Sequence, residues 1–152
     1  MSKKETKLKT REELFREKAS TYTVCFSTAC PLREHCLRAI LTGYLPADNL
    51  VTMSINLNHP QTQTDHCPMF RSDTPVRMPY GLQNLYYNMP GRMERSIKSH
   101  LISTYNRKRY YQFHNGTRPI TPDVERYIRK VLKDNGWTEE PQFSGYVEDL
   151  LW

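Results

Sequence analysis

Cys25, Cys30, Cys36 and Cys67 are the residues of this 152-residue chain whose type and spacing lend themselves best to chemistry. A soft divalent ion takes four thiolate or imidazole donors in a tetrahedron, at about 2.3 Å from sulfur for zinc, and short loops are the usual way a chain supplies them. Four cysteines meet that requirement. An ion held by all four would tie the polar stretch around Cys67 to the first half of the chain, which makes its role structural. The spacings are wider than those of paired Cys-x-x-Cys knuckles, so three readings stand at this point: Zn2+, an iron-sulfur cluster on the same thiolates, or buried thiols with no metal. Cys30 and Cys67 are each followed by proline, a neighbour often seen at cluster ligands. His35, His59 and His66 are the available substitutes for one cysteine, with His66 nearest.

The second chemical feature is positive charge. The formal net charge is +6, but residues 92–133 carry 11 Lys and Arg against 3 Asp and Glu, while residues 134–152 carry none against 5. Such a block is the electrostatic footprint of a phosphate-binding surface. Rings interleave with the cations in the run Tyr105, Arg107, Lys108, Arg109, Tyr110, Tyr111, Phe113, His114, a combination that suits single-stranded nucleic acid. The residues expected to contact nucleic acid are Arg92, Arg95, Lys98, Arg107, Lys108, Arg109, Tyr110, Arg118, Arg126, Arg129, Lys130 and Lys133. An acidic protein partner is the alternative, because the same cations would serve it.

Elements must position both sets. Residues 1–18 read as a flexible charged arm with no packed role. Helical spacing of Leu32, Cys36, Leu37, Ile40 and Leu41 predicts a helix between Pro31 and Leu41. The alternation of Val51, Met53, Ile55 and Leu57 with polar residues predicts a strand, and 58–80 reads as a long connection that something must pin. A helix is expected from Pro90, with Met93, Ile97, Leu101 and Tyr105 on its apolar stripe. Tyr110–His114 reads as a strand entering a hairpin at Asn115-Gly116, since that dipeptide tolerates the turn's positive φ angles. Thr121, Pro122 and Asp123 then start a helix with Val124, Tyr127, Ile128, Val131 and Leu132 on one face, stopped by Asn135-Gly136. Two helices and a ribbon suggest a winged-helix-like module, its last helix offered to a major groove. Tyr146–Trp152 is expected to be docked apolar surface.

The string Cys30-Pro31-Leu32-Arg33-Glu34-His35-Cys36 resembles the second half of the four-cysteine cluster loop of helix-hairpin-helix DNA glycosylases, which implies a cluster as an option and no glycosylase activity. More widely, CFSTACPLREHCLR, then HCPMFR, then NGTRPITP before an amphipathic helix looks like a family of small bacterial proteins catalogued only as a domain of unknown function. That resemblance spans Cys25 to Gly136 and implies one co-folded unit.

No phosphate loop, dinucleotide glycine pattern, zinc-protease helix or serine-hydrolase elbow is present. Adjacent Asp65, His66 and Cys67 would point to opposite sides of an extended segment, which argues against a thiol nucleophile. The sequence therefore predicts a non-enzymatic protein. No apolar run reaches the roughly 18 residues of a membrane span, and the N-terminus has no apolar signal core, so a cytoplasmic location is expected. The expected architecture is a small single α+β domain over 19–152. It comprises a metal-stapled cysteine-bearing half (19–89), a basic helix-hairpin-helix half (90–136) and an acidic tail docked on the domain (137–152). The expected function is a metal-stapled nucleic-acid-binding or regulatory protein; a protein-protein adaptor and an iron-sulfur redox or repair-associated factor are the alternatives.

Overall fold

Thr10 starts the first helix in a capping box: its hydroxyl accepts from the Glu13 backbone N–H at 3.2 Å, and its own N–H donates to Glu13 Oε2 at 2.9 Å. The resulting helix α1, Arg11–Ala19, carries Glu12 and Glu13 at its positive end and Arg16 and Lys18 at its negative end. The computed structural model describes residues 10–152. Of the arm expected over 1–18, residues 11–18 are thus helical and Phe15 is only 2% exposed, while 1–9 lie outside the described residues. Phe15 meets the rings of Tyr44 and Trp152 edge-on, at 5.3 and 5.7 Å between centroids.

The described chain forms two compact units, 10–74 with 150–152, and 75–149. The core of the first unit gathers Phe15, Ala19, Val24, Leu37, Leu41 and Leu150. Its regular structure is sparse. The single helix expected from Pro31 to Leu41 is broken into a 3-10 turn at Arg33–His35, helix α2 at Leu37–Ile40, and a second 3-10 turn at Leu41–Tyr44. The break falls at Cys36, whose backbone is extended (φ −100°, ψ 117°) and bridges to Ser72, while the Leu37 N–H donates to Arg71 O at 2.7 Å. Pairing with a distant segment outcompetes the local helical period.

The strand expected at Val51–Leu57 reduces to one parallel bridge, Val24 with Ser54. Val24 N–H donates to Met53 O at 3.0 Å and Ile55 N–H to Val24 O at 2.9 Å. Alternation there marks no buried face, since Val51 is 82% exposed and Met53 is exposed too. The connection that follows forms turns of its own and is also bonded from Ser27 to Gln63 and from Arg38 to Met69. The Thr62 hydroxyl reaches His59 O at 2.8 Å, and Gln63 takes the left-handed conformation at φ 61°.

The second unit pairs β1 (Val76–Tyr80) antiparallel with β2 (Gly145–Asp149) in the register Val76↔Asp149, Met78↔Val147, Tyr80↔Gly145. Three helices complete it: α3 (Gly91–Tyr105), α4 (Arg107–His114) and α5 (Pro122–Asp134). Residues 75–89, read above with the cysteines, pack with these helices, since Leu82, Leu85, Tyr86 and Met89 share a core with Ile97, Leu101, Phe113 and Ile128. The expected ribbon at Tyr110–His114 is helix α4. Asn106, at φ 63°, breaks the chain from α3 and caps α4 by accepting from Arg109 N–H at 3.0 Å. Tyr110 and Phe113, three residues apart, then share the buried face, a spacing that outweighed the apparent alternation of Tyr111 with Phe113. Gly116, at φ 75°, follows the end of that helix instead of turning a hairpin. The helix-hairpin-helix and winged-helix readings are corrected accordingly to three consecutive helices.

Helix α5 starts at Pro122 and buries Val124, Ile128, Val131 and Leu132, as its sequence period requires. The architecture is α+β, with five α-helices and a two-stranded sheet among the described residues. None of those helices is long and apolar enough to cross a membrane.

If α1 is a packed element, Phe15→Ala should lower the unfolding free energy by about 3–5 kcal/mol, as expected for emptying a buried aromatic site. Urea denaturation followed by circular dichroism measures this, and an unchanged midpoint would mean that α1 is not docked.

Candidate metal centre and basic surface

Each cysteine sits where the chain turns or pairs. Cys25 follows the bridge residue Val24, and its N–H donates to Arg38 O at 2.9 Å. The Cys30 carbonyl accepts from Arg33 N–H at 3.2 Å, and the Cys67 carbonyl from Phe70 N–H at 3.1 Å. Both are thus first residues of a turn whose second residue is proline, Pro31 or Pro68, where its fixed φ fits. Turn geometry alone accounts for the two Cys-Pro pairs. Cys36 is the buried bridge residue that interrupts the helical run.

Cross-loop hydrogen bonds hold these turns side by side. Buried Ser27 accepts from Cys30 N–H at 3.1 Å and donates to Gln63 Oε1 at 2.8 Å, and Gln63 Nε2 donates to Leu57 O at 3.1 Å. Arg38 is 7% exposed: its Nε donates to Met69 O and its Nη1 to Thr23 O, both at 2.8 Å, with the guanidinium 4.5 Å from the Tyr22 ring centre. The loop of Cys25 and Cys30 is thereby joined to the loop of Cys67. All four cysteines line one cavity of about 20 Å³ together with Arg38 and Gln63, the remainder of the wall being largely apolar, Leu32, Ile55 and Phe70 among it. That volume suits one water-sized body. The thiols are free, and among the described residues no three His, Cys, Asp or Glu side chains are gathered at metal-holding spacing. The cysteines share a wall without closing on a point.

None of the three histidines lines that cavity. His35 is exposed and lies 3.4 Å from Asp73, His66 is exposed beside Asp65 at 3.8 Å, and His59 accepts from Gln61 N–H within its own turn. Ser27, Gln63 and Arg38 carried no signal in the sequence, because each owes its place to a partner at least three residues away and mostly far beyond.

In the second unit the expected contact residues divide. Lys98 pairs with Glu94 at 2.5 Å, Lys130 with Asp134 at 2.6 Å, and Arg129 with both Glu125 at 2.9 Å and Glu140 at 2.7 Å. Those cations have carboxylate partners at the surface. Arg92, Arg95, Arg107, Lys108, Arg109, Arg118, Arg126 and Lys133 are exposed and form no ion pair among the described residues. Arg95 donates to Gly91 O, Arg107 covers the Tyr111 ring, and Arg109 lies over Tyr105 and Phe113. Arg126 helps to keep the Asp123 carboxyl below the usual range, after the hydrogen bond from the Thr121 hydroxyl. That hydroxyl therefore engages Asp123 and does not cap a backbone N–H.

Tyr110 is corrected as a contact residue. It is 1% exposed and donates to the Tyr86 hydroxyl at 3.2 Å, so no base can stack on it. The exposed rings of this unit are Tyr111, Tyr146 and Tyr87, the last 87% exposed.

Comparison with known proteins adds one match, as residues 7–152 fit a family of unknown function, DUF6078. The chain belongs to that family. No curated protein and no solved structure matches it. Membership in DUF6078 covers both the cavity and the basic helices, and says nothing of activity.

Burial pushes the Tyr110 phenol up to about 12, despite the hydrogen bond it makes to Tyr86, and pushes Tyr86 up as well, with the Tyr110 hydrogen bond adding to the effect. Both pKa values lie above the ordinary phenol value near 10, so the unfolded chain gives up these protons first. The pair's contribution is full below about pH 10 and is lost as pH rises through about 12. In an alkaline absorbance titration at 295 nm (phenolate), Tyr86 and Tyr110 should stay silent until the protein unfolds. Titration of all 10 tyrosines together near pH 10 in folded protein would contradict their burial.

Proposed function

We propose that this DUF6078 protein is a non-enzymatic module in which Cys25, Cys30, Cys36 and Cys67 bind one structural Zn2+, and in which the basic helices contact nucleic acid. One observation carries the metal reading: four thiols from three separate stretches of chain line a single cavity of about 20 Å³. Zinc at roughly 2.3 Å from each sulfur would draw the thiols together from loops already joined by Ser27, Gln63 and Arg38. The small volume favours one ion over a cluster of several iron and sulfur atoms, and the turn role of Pro31 and Pro68 removes the separate argument for a cluster. Reduced thiols of this kind belong in the cytoplasm.

Support for nucleic acid comes from the eight cations without ion pairs. Arg107, Lys108 and Arg109 open α4 with no acidic residue in its first turn, where the helix dipole already disfavours positive charge. A phosphate would relieve that repulsion, and Tyr87, 87% exposed, offers a stacking face in the same unit.

Elemental analysis of freshly purified protein should find one zinc per chain. Cys25→Ser should lower the melting temperature markedly, because metal binding is then part of folding. Metal-free protein that takes up no zinc would overturn the metal reading. For the second reading, labelled single-stranded oligonucleotides at ~50 mM salt should bind, with affinity falling steeply as salt rises. The double variant Arg107→Glu/Lys108→Glu should weaken binding at least tenfold with little change in stability, as exposed substitutions usually do. Absence of binding to DNA or RNA in either single- or double-stranded form would leave an acidic protein as the partner of this surface.

A further inference from the structure

Arg38 is a buried cation with neutral partners. Its hydrogen bonds go to the carbonyls of Thr23 and Met69, the Tyr22 ring faces it at 4.5 Å, and among the described residues no carboxylate lies within ion-pair distance. A guanidinium taken out of water calls for a negative counterpart nearby. On the cavity wall that Arg38 shares, the cysteines are the groups able to carry negative charge, since Gln63 and Thr62 are neutral. Four thiolates around a divalent ion carry a net charge of −2, and one guanidinium reduces the total to −1.

We infer that Arg38 is the counter-cation of a tetrathiolate centre, its charge rather than its hydrogen bonds setting how tightly the cavity takes a divalent ion. This rests on the metal reading above. Arg38 acts through the sulfurs and is a positioning residue, comparable to the partners whose loss weakens metal sites by 10–100-fold.

The test is cobalt(II) titration of the full chain, read by thiolate-to-cobalt absorption in the near ultraviolet, for wild type, Arg38→Lys and Arg38→Gln. Lysine keeps the charge, whereas glutamine keeps hydrogen-bond donors and loses the charge. The Lys variant should bind within about threefold of wild type and the Gln variant about 10–100-fold more weakly. Equal affinity of the Gln variant and wild type overturns the inference and leaves the metal site standing. Equal losses in both variants overturn it too, assigning Arg38 to its hydrogen bonds. A wild-type chain with no thiolate band sinks the metal reading itself. Should circular dichroism find the Gln variant unfolded, the Lys variant decides alone: near-wild-type affinity supports the charge role, and a tenfold loss ends it.

Discussion

A guanidinium in a protein interior must have its donors met, and Arg38 meets them with carbonyls from stretches on either side of it in sequence. The first unit has little regular structure to do that work, only α1, the single turn of α2, two 3-10 turns and isolated bridges. Its loops are therefore fixed by cross-chain polar contacts: Thr23 and Met69 through Arg38, Leu57 and Cys30 through Gln63 and Ser27. Those contacts and the Cys36 bridge to Ser72 join the stretches that carry the cysteines.

Helix α5 was readable in the sequence because stop signal and apolar period agree along its length, and because Pro122 and the residues it precedes mark the start. The stripe of α3 was readable for the same reason. The reading failed where a short run allowed two periods. Tyr110 to Phe113 fits a strand by alternation and a helix by its i, i+3 pair, and Asn106, which decides the matter by capping α4, looks unremarkable in sequence. At Val51–Leu57 the alternation was real but marks no continuous buried face: Val51 and Met53 are exposed, Ile55 and Leu57 are half-buried, and the backbone pairing is one bridge to Val24. The cysteines were visible as a set because their residue type is rare. The Ser27, Gln63 and Arg38 contacts that arrange them were not, being products of tertiary structure.

In the second unit the basic composition separates into two populations once partners are known. Arg129, Lys130 and Lys98 lie beside carboxylates one helical turn away or, for Glu140, beyond the helix end, in pairs that remain at the surface. Arg107 and Arg109 of α4 lie over rings instead, Arg107 over Tyr111 and Arg109 over Tyr105 and Phe113. Counting charge by block could not distinguish these two groups, because Glu94 and Glu125 lie within the basic block while Asp134 and Glu140 lie in the acidic segment beyond it.

Leu150 and Trp152 belong to the core that also holds Phe15 and Ala19, so the first unit is discontinuous along the chain, with residues 75–149 inserted between its parts. During synthesis the ribosome releases the N-terminal stretch long before those closing residues. The first unit therefore cannot close its core until 150–152 have been added, directly after β2 of the inserted unit, and it gains no head start from holding the N-terminal stretch.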